Sequence, residues 1–483
     1  MAGCISNTAR WFFIALLVGC GEGSSGGVAG PTPSAILGVL PGAPAALAVT
    51  QGDRAVGLAW QAPASAGSSF ITSYTINIAP SAPQARITVT GTAAVISGLA
   101  DGTSYTVTVS ATNAVGTGPA SVSVQALPTA ASTNAYVPIT VSGDPNAPSG
   151  NFDPAILNAS TGTTWLAYSS VNYYHNSANQ LVQDVSTSLA KSTGPGAFSY
   201  LQTLGVAQGP VTVTDTTHSV CGQATCTGRW VYEVPFLIED GGDPNPSRVY
   251  KLFAFKYFLY PPATPATEYG LGAIVMWTAG SPNGVWSPES TVLRWNLTPP
   301  EISGGTNINT LNPALSSCLL LTEGAASIYG KNIDFVFGCP YISGGTTLAN
   351  IVMLRSIDHA QTFSFVSTLL TAADASIAAG ATVFSAPALL PMASGAPALL
   401  VTPVVGNNYA GCLVLPFASE QDGTLMRDSN DLPISILSLP SFSGDFGGAC
   451  AWDQGESATG ILIDDLDPSL ASRFRIVATN RSL

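Results

Sequence analysis

Phe152-Asp153-Pro154-Ala155-Ile156 opens the stretch that decides the fold, because the same kind of phrase returns four times. It comes back as Tyr232-Glu233-Val234-Pro235-Phe236, Thr322-Glu323-Gly324-Ala325-Ala326, Phe384-Ser385-Ala386-Pro387-Ala388 and Gly447-Gly448-Ala449-Cys450-Ala451. Each phrase precedes an apolar strand, and a second strand follows, as in Thr164-Trp165-Leu166-Ala167-Tyr168 or Ile333-Asp334-Phe335-Val336-Phe337. In the first three repeats a third strand leads to a turn and a fourth. Those turns are residues 192–198, 280–286 and 356–363. Four short strands recurring five times, roughly 70 residues apart, predict a five-bladed β-propeller over residues 146–483. A jelly roll or a second sandwich would not repeat one opening phrase.

Composition agrees with an all-β chain. Of the 483 residues only 9% are charged, while 46% are hydrophobic, the reverse of a disordered chain. The 49 glycines and 35 prolines suit short strands joined by tight turns. A net charge of −13 repels phosphate backbones, so no nucleic-acid partner is expected.

The N-terminus sets the compartment. Arg10 precedes an apolar run, Trp11 to Val18, which is far shorter than the ~20 residues of a spanning helix. Residues 1–19 therefore read as a cleaved signal peptide. Leu17-Val18-Gly19-Cys20 resembles the bacterial lipobox, which implies a lipidated Cys20 and a membrane partner through that lipid; an ordinary signal with a chance cysteine is the alternative. Gly21, not Asp, follows the cysteine, which by resemblance to Gram-negative lipoproteins favours the outer membrane or cell surface. Residues 20–41 read as a flexible tether.

Residues 42–128 show seven-strand alternation, clear in Val56 to Trp60, Tyr74 to Ile78 and Tyr105 to Val109. The stretch resembles a fibronectin type III domain in W-Q-A-P (Trp60 to Pro63), G-L-A-D-G-T-S-Y-T-V (Gly98 to Val107) and A-T-N-A-V-G-T-G-P-A-S (Ala111 to Ser121). Trp60 is expected in the core and Tyr105 at the tyrosine corner. Residues 129–145 read as a linker.

Eight cysteines are present. Cys4 leaves with the signal and Cys20 takes lipid; six in an exported chain suggest disulfides. The pairing expected is Cys221–Cys226, Cys318–Cys339 and Cys412–Cys450. Zinc is the rival reading, but no C-x-x-C occurs and His175, His218 and His359 are scattered, so neither metal nor cofactor is expected.

In a propeller the blade openings crowd around one end of the axis. The first three carry one acid each: Asp153, Glu233 and Glu323. Converging carboxylates are what glycoside hydrolysis needs, one protonated and another ionised. The arrangement resembles the five-bladed glycoside hydrolases of the arabinofuranosidase/β-xylosidase type and their fructan-cleaving relatives. That resemblance implies Asp153 as base or nucleophile, Glu233 as pKa modulator and Glu323 as general acid. The chain departs from the pattern in having Glu at the middle position and Ala325 after Glu323-Gly324. The competing reading is a non-catalytic binding or adhesion propeller, its acids capping strands or bonding backbone amides.

Trp165, Tyr168, Tyr173, Trp230 and Tyr232 lie near the first two openings and are candidates for a sugar platform. Ser356-Ile357-Asp358-His359-Ala360-Gln361-Thr362-Phe363 resembles a sialidase-type Asp-box, degenerate at Ala360 and Phe363. Such boxes are structural turns, and the arginines show no repeating placement for a sialate carboxylate. The acidic clusters Glu239 to Asp243 and Asp464 to Asp467 read as solvated turns rather than calcium loops. The sequence thus points to a surface-anchored lipoprotein that acts on or binds extracellular carbohydrate.

Overall fold

The computed structural model describes residues 38–479, except 53, 130–135, 178, 180, 219, 261–270, 391–396, 407, 429, 440–447, 455–460 and 467–473. The signal peptide, Cys20 and most of the tether lie outside the described residues, as does Asp467. Among the described residues no helix is long and apolar enough to cross a membrane.

Residues 45–126 form a β-sandwich. One sheet pairs Ala45–Gln51, Ala55–Gln61, Ala93–Ser97 and Arg86–Thr90; the other joins Ile71–Ala79, Tyr105–Asn113, Thr117–Ala120 and Val124–Ala126. Alternate residues point inward, so Val56, Leu58, Trp60, Val107 and Val109 share one core. Trp60 meets Tyr74 edge-on at 5.2 Å. The Tyr105 hydroxyl accepts the Ala100 amide at 3.1 Å, the tyrosine-corner contact expected from its place in the strand. Ala93 and Val95 belong to a buried apolar cluster that also holds Ile436 and Leu437 of the second domain.

The second domain is a ring of five blades. Blade one is Gly150–Asn158, Thr164–His175, Leu181–Gly194 and Ala197–Gly205. Blade two is built from Thr225–Glu239, Tyr250–Leu259, Gly272–Ala279 and Ser290–Arg294, with Gln208–Thr214 extending its first strand into a hairpin. Blade three is Thr322–Tyr329, Asn332–Ser343, Thr346–Ser356 and Ser364–Leu370. Blade four holds Val383–Leu390, Ala398–Val405 and Cys412–Ser419, edged by Thr424–Leu425 and Leu437–Leu439.

Blade five has only three strands of its own: Cys450–Gln454, Ile461–Leu466 and Phe474–Thr479. Its fourth is Tyr136–Ser142, antiparallel to Phe474–Thr479. The sequence pattern places this segment in a 129–145 linker, which the structure corrects. It is a strand because both its edges find partners, Phe474–Thr479 on one side and, in parallel, Ala197–Gly205 of blade one on the other. The ring closes a second time where Ile156 of blade one pairs with Asp453 of blade five, parallel strand to parallel strand.

Aromatic packing fills the wedges between blades. Phe236, Phe253, Phe335 and Phe337 interleave across blades two and three with ring centroids 4.9 to 6.2 Å apart. Burying each such side chain contributes roughly 1.5–3 kcal/mol. The seams also carry polar staples. Glu239 accepts the Ser160 amide and hydroxyl, both at 2.6 Å, across blades one and two. Arg355 bonds Asp334 at 2.5 Å and, across blades three and four, Glu420 at 2.6 Å. Cys412–Cys450 joins blade four to blade five, while Cys318–Cys339 ties the approach to blade three onto that blade and Cys221–Cys226 closes a local hairpin. All three pairs are those expected from the sequence.

Candidate active site

The openings of blades one to four share one backbone device. Pairing with the second strand skips residues between Phe152 and Ala155, Glu233 and Phe236, Thr322 and Ala325, and Ser385 and Ala388. Each gap is a β-bulge whose first extra residue has positive φ: Asp153 (49°), Val234 (50°), Glu323 (49°) and Ala386 (44°). Pro154, Pro235 and Pro387 follow in three blades, fitting because a bulged residue needs no ladder N–H. Blade three uses Gly324 instead, where a Cβ would stand 2.0 Å from the Phe337 ring.

These bulges correct the expected equivalence of the three acids. Asp153 and Glu323 occupy the bulge position, but Glu233 stands one residue earlier, level with Phe152, Thr322 and Ser385. Val234 takes the bulge in blade two. The repeated phrase was readable, and its register is marked in three blades by the proline that follows the left-handed residue; aligning the acids rather than Pro154, Pro235 and Pro387 shifts blade two by one residue.

The openings nevertheless converge. One cavity of about 820 Å³ is lined by residues of all five blades and includes Asp153, Glu233 and Glu323. Asp153 Oδ2 accepts the Ser169 hydroxyl at 2.7 Å and the Val234 amide at 3.2 Å. Burial pushes the Asp153 carboxyl up to about 7, against the pull of Ser169 and Val234, and the nearby Glu323 charge adds to the rise. Glu323 uses both oxygens: Oε2 accepts the Ser385 hydroxyl and the Ala386 amide (3.0 Å), and Oε1 accepts the Tyr409 hydroxyl (2.8 Å). Glu233 Oε2 accepts the hydroxyl of Tyr257.

Of the five aromatic platform candidates, only Tyr173 lines the cavity. Trp165, Trp230 and Tyr232 are buried in the core between blades one and two, and Tyr168 is buried with its hydroxyl donating to Asp144 at 2.8 Å. Their burial leaves no face for a ligand. Sequence reasoning missed Ser169, Tyr257, Ser385, Tyr409, Phe152 and Phe474. Phe152 and Ser385 stood in the repeated phrases; the others are set by strand pairing and had no local signal.

The degenerate Asp-box forms its turn. Asp358 accepts the Thr362 amide and hydroxyl at 2.8 and 2.6 Å, between the third and fourth strands of blade three. Burial opposes ionisation there, but the Thr362 hydroxyl and amide, with Ser356 and Gln361, hold the carboxyl below the usual range. The turn does not line the cavity. Asp240, Asp243 and His359 offer atoms within 4.8 Å of one another. The buried Lys251 ammonium already bridges the two carboxylates at 2.9 and 2.8 Å, so the group is an ion-paired seam between blades two and three.

Residues 42–126 match the family model of the fibronectin type III domain. No curated protein matches the chain. Among solved structures, a family 117 glycoside hydrolase from the marine bacterium Zobellia galactanivorans is similar at 10% identity and TM-score 0.41, over 72% of this chain and 90% of that one. The GH32 β-fructofuranosidase of Bombyx mori is similar at 13% identity and TM-score 0.42, over 71% and 61%. A GH43 endo-arabinanase from Bacillus licheniformis is similar at 12% identity and TM-score 0.37, over 69% and 94%.

Proposed function

We propose that this protein is a glycan-acting lipoprotein whose propeller hydrolyses glycosidic bonds in its axial cavity. The observation that carries the reading is the convergence of Asp153, Glu233 and Glu323 on one cavity. Glycoside hydrolysis needs a carboxyl that holds a proton near neutral pH and a second carboxylate opposite it. Asp153, raised to about 7, is the proton-holding member. Glu323 accepts three hydrogen bonds through its two oxygens, from Ser385, Ala386 and Tyr409, a donor set that suits the base or nucleophile role. The roles implied by resemblance are therefore exchanged: Asp153 is the acid, and Glu323 is the base or nucleophile. Cys20 is proposed as the lipidated residue that holds the domain at the cell surface; Cys20→Ser is expected to release the protein from the membrane fraction.

A second reading rests on a different observation. Asp153 and Glu323 each accept a backbone amide from the next blade, which suits acids whose work is structural. The test is a turnover screen of the chain beginning after Cys20 on aryl glycosides and on plant and bacterial polysaccharides. Asp153→Asn and Glu323→Gln run beside it. Turnover lost in both folded variants supports hydrolysis. Glycan binding without turnover, unchanged in both variants, sinks the catalytic reading and leaves a binding propeller.

A further inference from the structure

The cavity has an aromatic corner at the seam that closes the ring. Phe152 and Tyr173 belong to blade one, Phe474 to blade five, and all three line the cavity that holds the acids. Phe474 meets Phe152 edge-on at 5.3 Å and Tyr173 edge-on at 5.2 Å. The chain adjoining them is fixed by one residue, Ser149, which is itself buried. Its carbonyl accepts the Phe474 amide at 3.0 Å and its hydroxyl accepts the Tyr173 amide at 3.0 Å. Gly150, at φ 111°, lets the two blades touch, since a Cβ there would lie 1.9 Å from the Phe474 carbonyl oxygen. Phe152 directly precedes Asp153, so the corner and the proton-holding acid share one bulge.

We propose that Phe152, Tyr173 and Phe474 form the subsite that seats an uncharged pyranose or furanose ring beside Asp153, an inference that rests on the glycan reading above. A preorganised aromatic surface offers a sugar's C–H face contact area at little entropic cost, and convergent polar groups then fix orientation. The lining supplies the second half of the argument. Among the described residues that line the cavity there is no Lys, Arg or His, and the ionisable acids are Asp153, Glu233 and Glu323. A uronate or sialate carboxylate would be buried against like charge without a counter-ion, which is costly. The favoured sugar is therefore neutral. The subsite exists only once the ring has closed, because its third ring comes from the last strand.

The experiment uses Asp153→Asn, to block turnover, on an array of neutral and acidic oligosaccharides. Phe474→Leu and Phe474→Tyr are made in that background. Neutral glycans are expected to bind and acidic ones not. Phe474→Leu should weaken binding about tenfold, and Phe474→Tyr should hold it within about threefold, for a stacking contact of this kind. Melting curves of the two variants exclude an opened seam. Full binding by a folded Phe474→Leu overturns the subsite alone, while preferential binding of acidic glycans overturns the substrate class. If the array shows no glycan binding by the Asp153→Asn parent, the glycan reading and the subsite fall together.

Discussion

Blades one and three carry an acid at the bulge, whereas blades two and four carry Val234 and Ala386 there. The backbone is the same in all four, so the difference lies in what each side chain does for its neighbour. A bulge takes residues out of the strand ladder and leaves their amides in need of an acceptor. Asp153 accepts the Val234 amide and Glu323 accepts the Ala386 amide. Acid and amide thus alternate around the axis. The two acids then diverge through side-chain length. The shorter Asp153 meets Ser169 and Val234 close to its own strand, while the longer Glu323 reaches Ser385, Ala386 and Tyr409. The alternation explains why acids stand at these positions, and under the hydrolytic reading the burial that raises Asp153 marks it as the one that moves a proton.

The strongest way to break this contrast is to remove each charge in turn. Asp153→Asn should lower kcat by about 10²–10⁴-fold, the range for a lost general acid, and aryl glycosides with good leaving groups should recover most of that rate. Glu323→Gln should lose rate whatever the leaving group. Leaving-group rescue in Glu323→Gln and not in Asp153→Asn would return the roles to those implied by resemblance.

A smaller effect sharpens the same point. If Asp153 is the acid, kcat/KM falls as pH rises through about 7. In Glu323→Gln that limb of the residual rate should move to lower pH, because the Glu323 charge helps to raise Asp153. A rate that instead climbs through pH 7 identifies Asp153 as a base.

The smallest effect is thermodynamic. The Asp153 carboxyl is raised in the folded state, so the fold binds its proton more tightly than the unfolded chain does. Its stabilising contribution is full below about pH 4 and fades as pH rises to about 7. Asp153→Asn removes that loss, and its amide oxygen can still accept from Ser169 and Val234. The Tm of Asp153→Asn should exceed that of the parent by a few degrees at pH 8, and the two should agree near pH 4. Equal Tm values at both pH values would mean that burial of Asp153 carries no such cost.

Much of the architecture was legible because it rests on short-range pattern. Strand alternation and the W-Q-A-P and G-L-A-D-G-T-S-Y-T-V phrases announced the sandwich, and the returning opening phrase announced the ring. The pairing expected for the six cysteines, one of fifteen that the sequence allows, is the one the structure has. What remained hidden depends on contacts distant in sequence. Tyr136–Ser142 looks like linker until the last blade is seen to lack a strand. Glu233 looks equivalent to Asp153 until backbone φ shows Val234 in that place. Trp165, Trp230 and Tyr232 look like sugar platforms until blade two packs against blade one and covers them. Tyr409 and Phe474 reach the cavity from blades four and five, with no local motif to announce them.

The pairing of Tyr136–Ser142 with Phe474–Thr479 also sets an order of events. A chain made from its N-terminus can pair the first of these strands with Ala197–Gly205 early, but its other edge stays without Phe474–Thr479 until nearly everything else has been synthesised. The sandwich, whose partners lie close in sequence, can fold early; the ring must wait, because long-range strand pairing is slow. During that interval a bare strand edge is open to neighbouring chains. A product cut short before Phe474 would therefore carry a finished first domain on an unclosed second one, and its characteristic failure would be aggregation rather than weak activity.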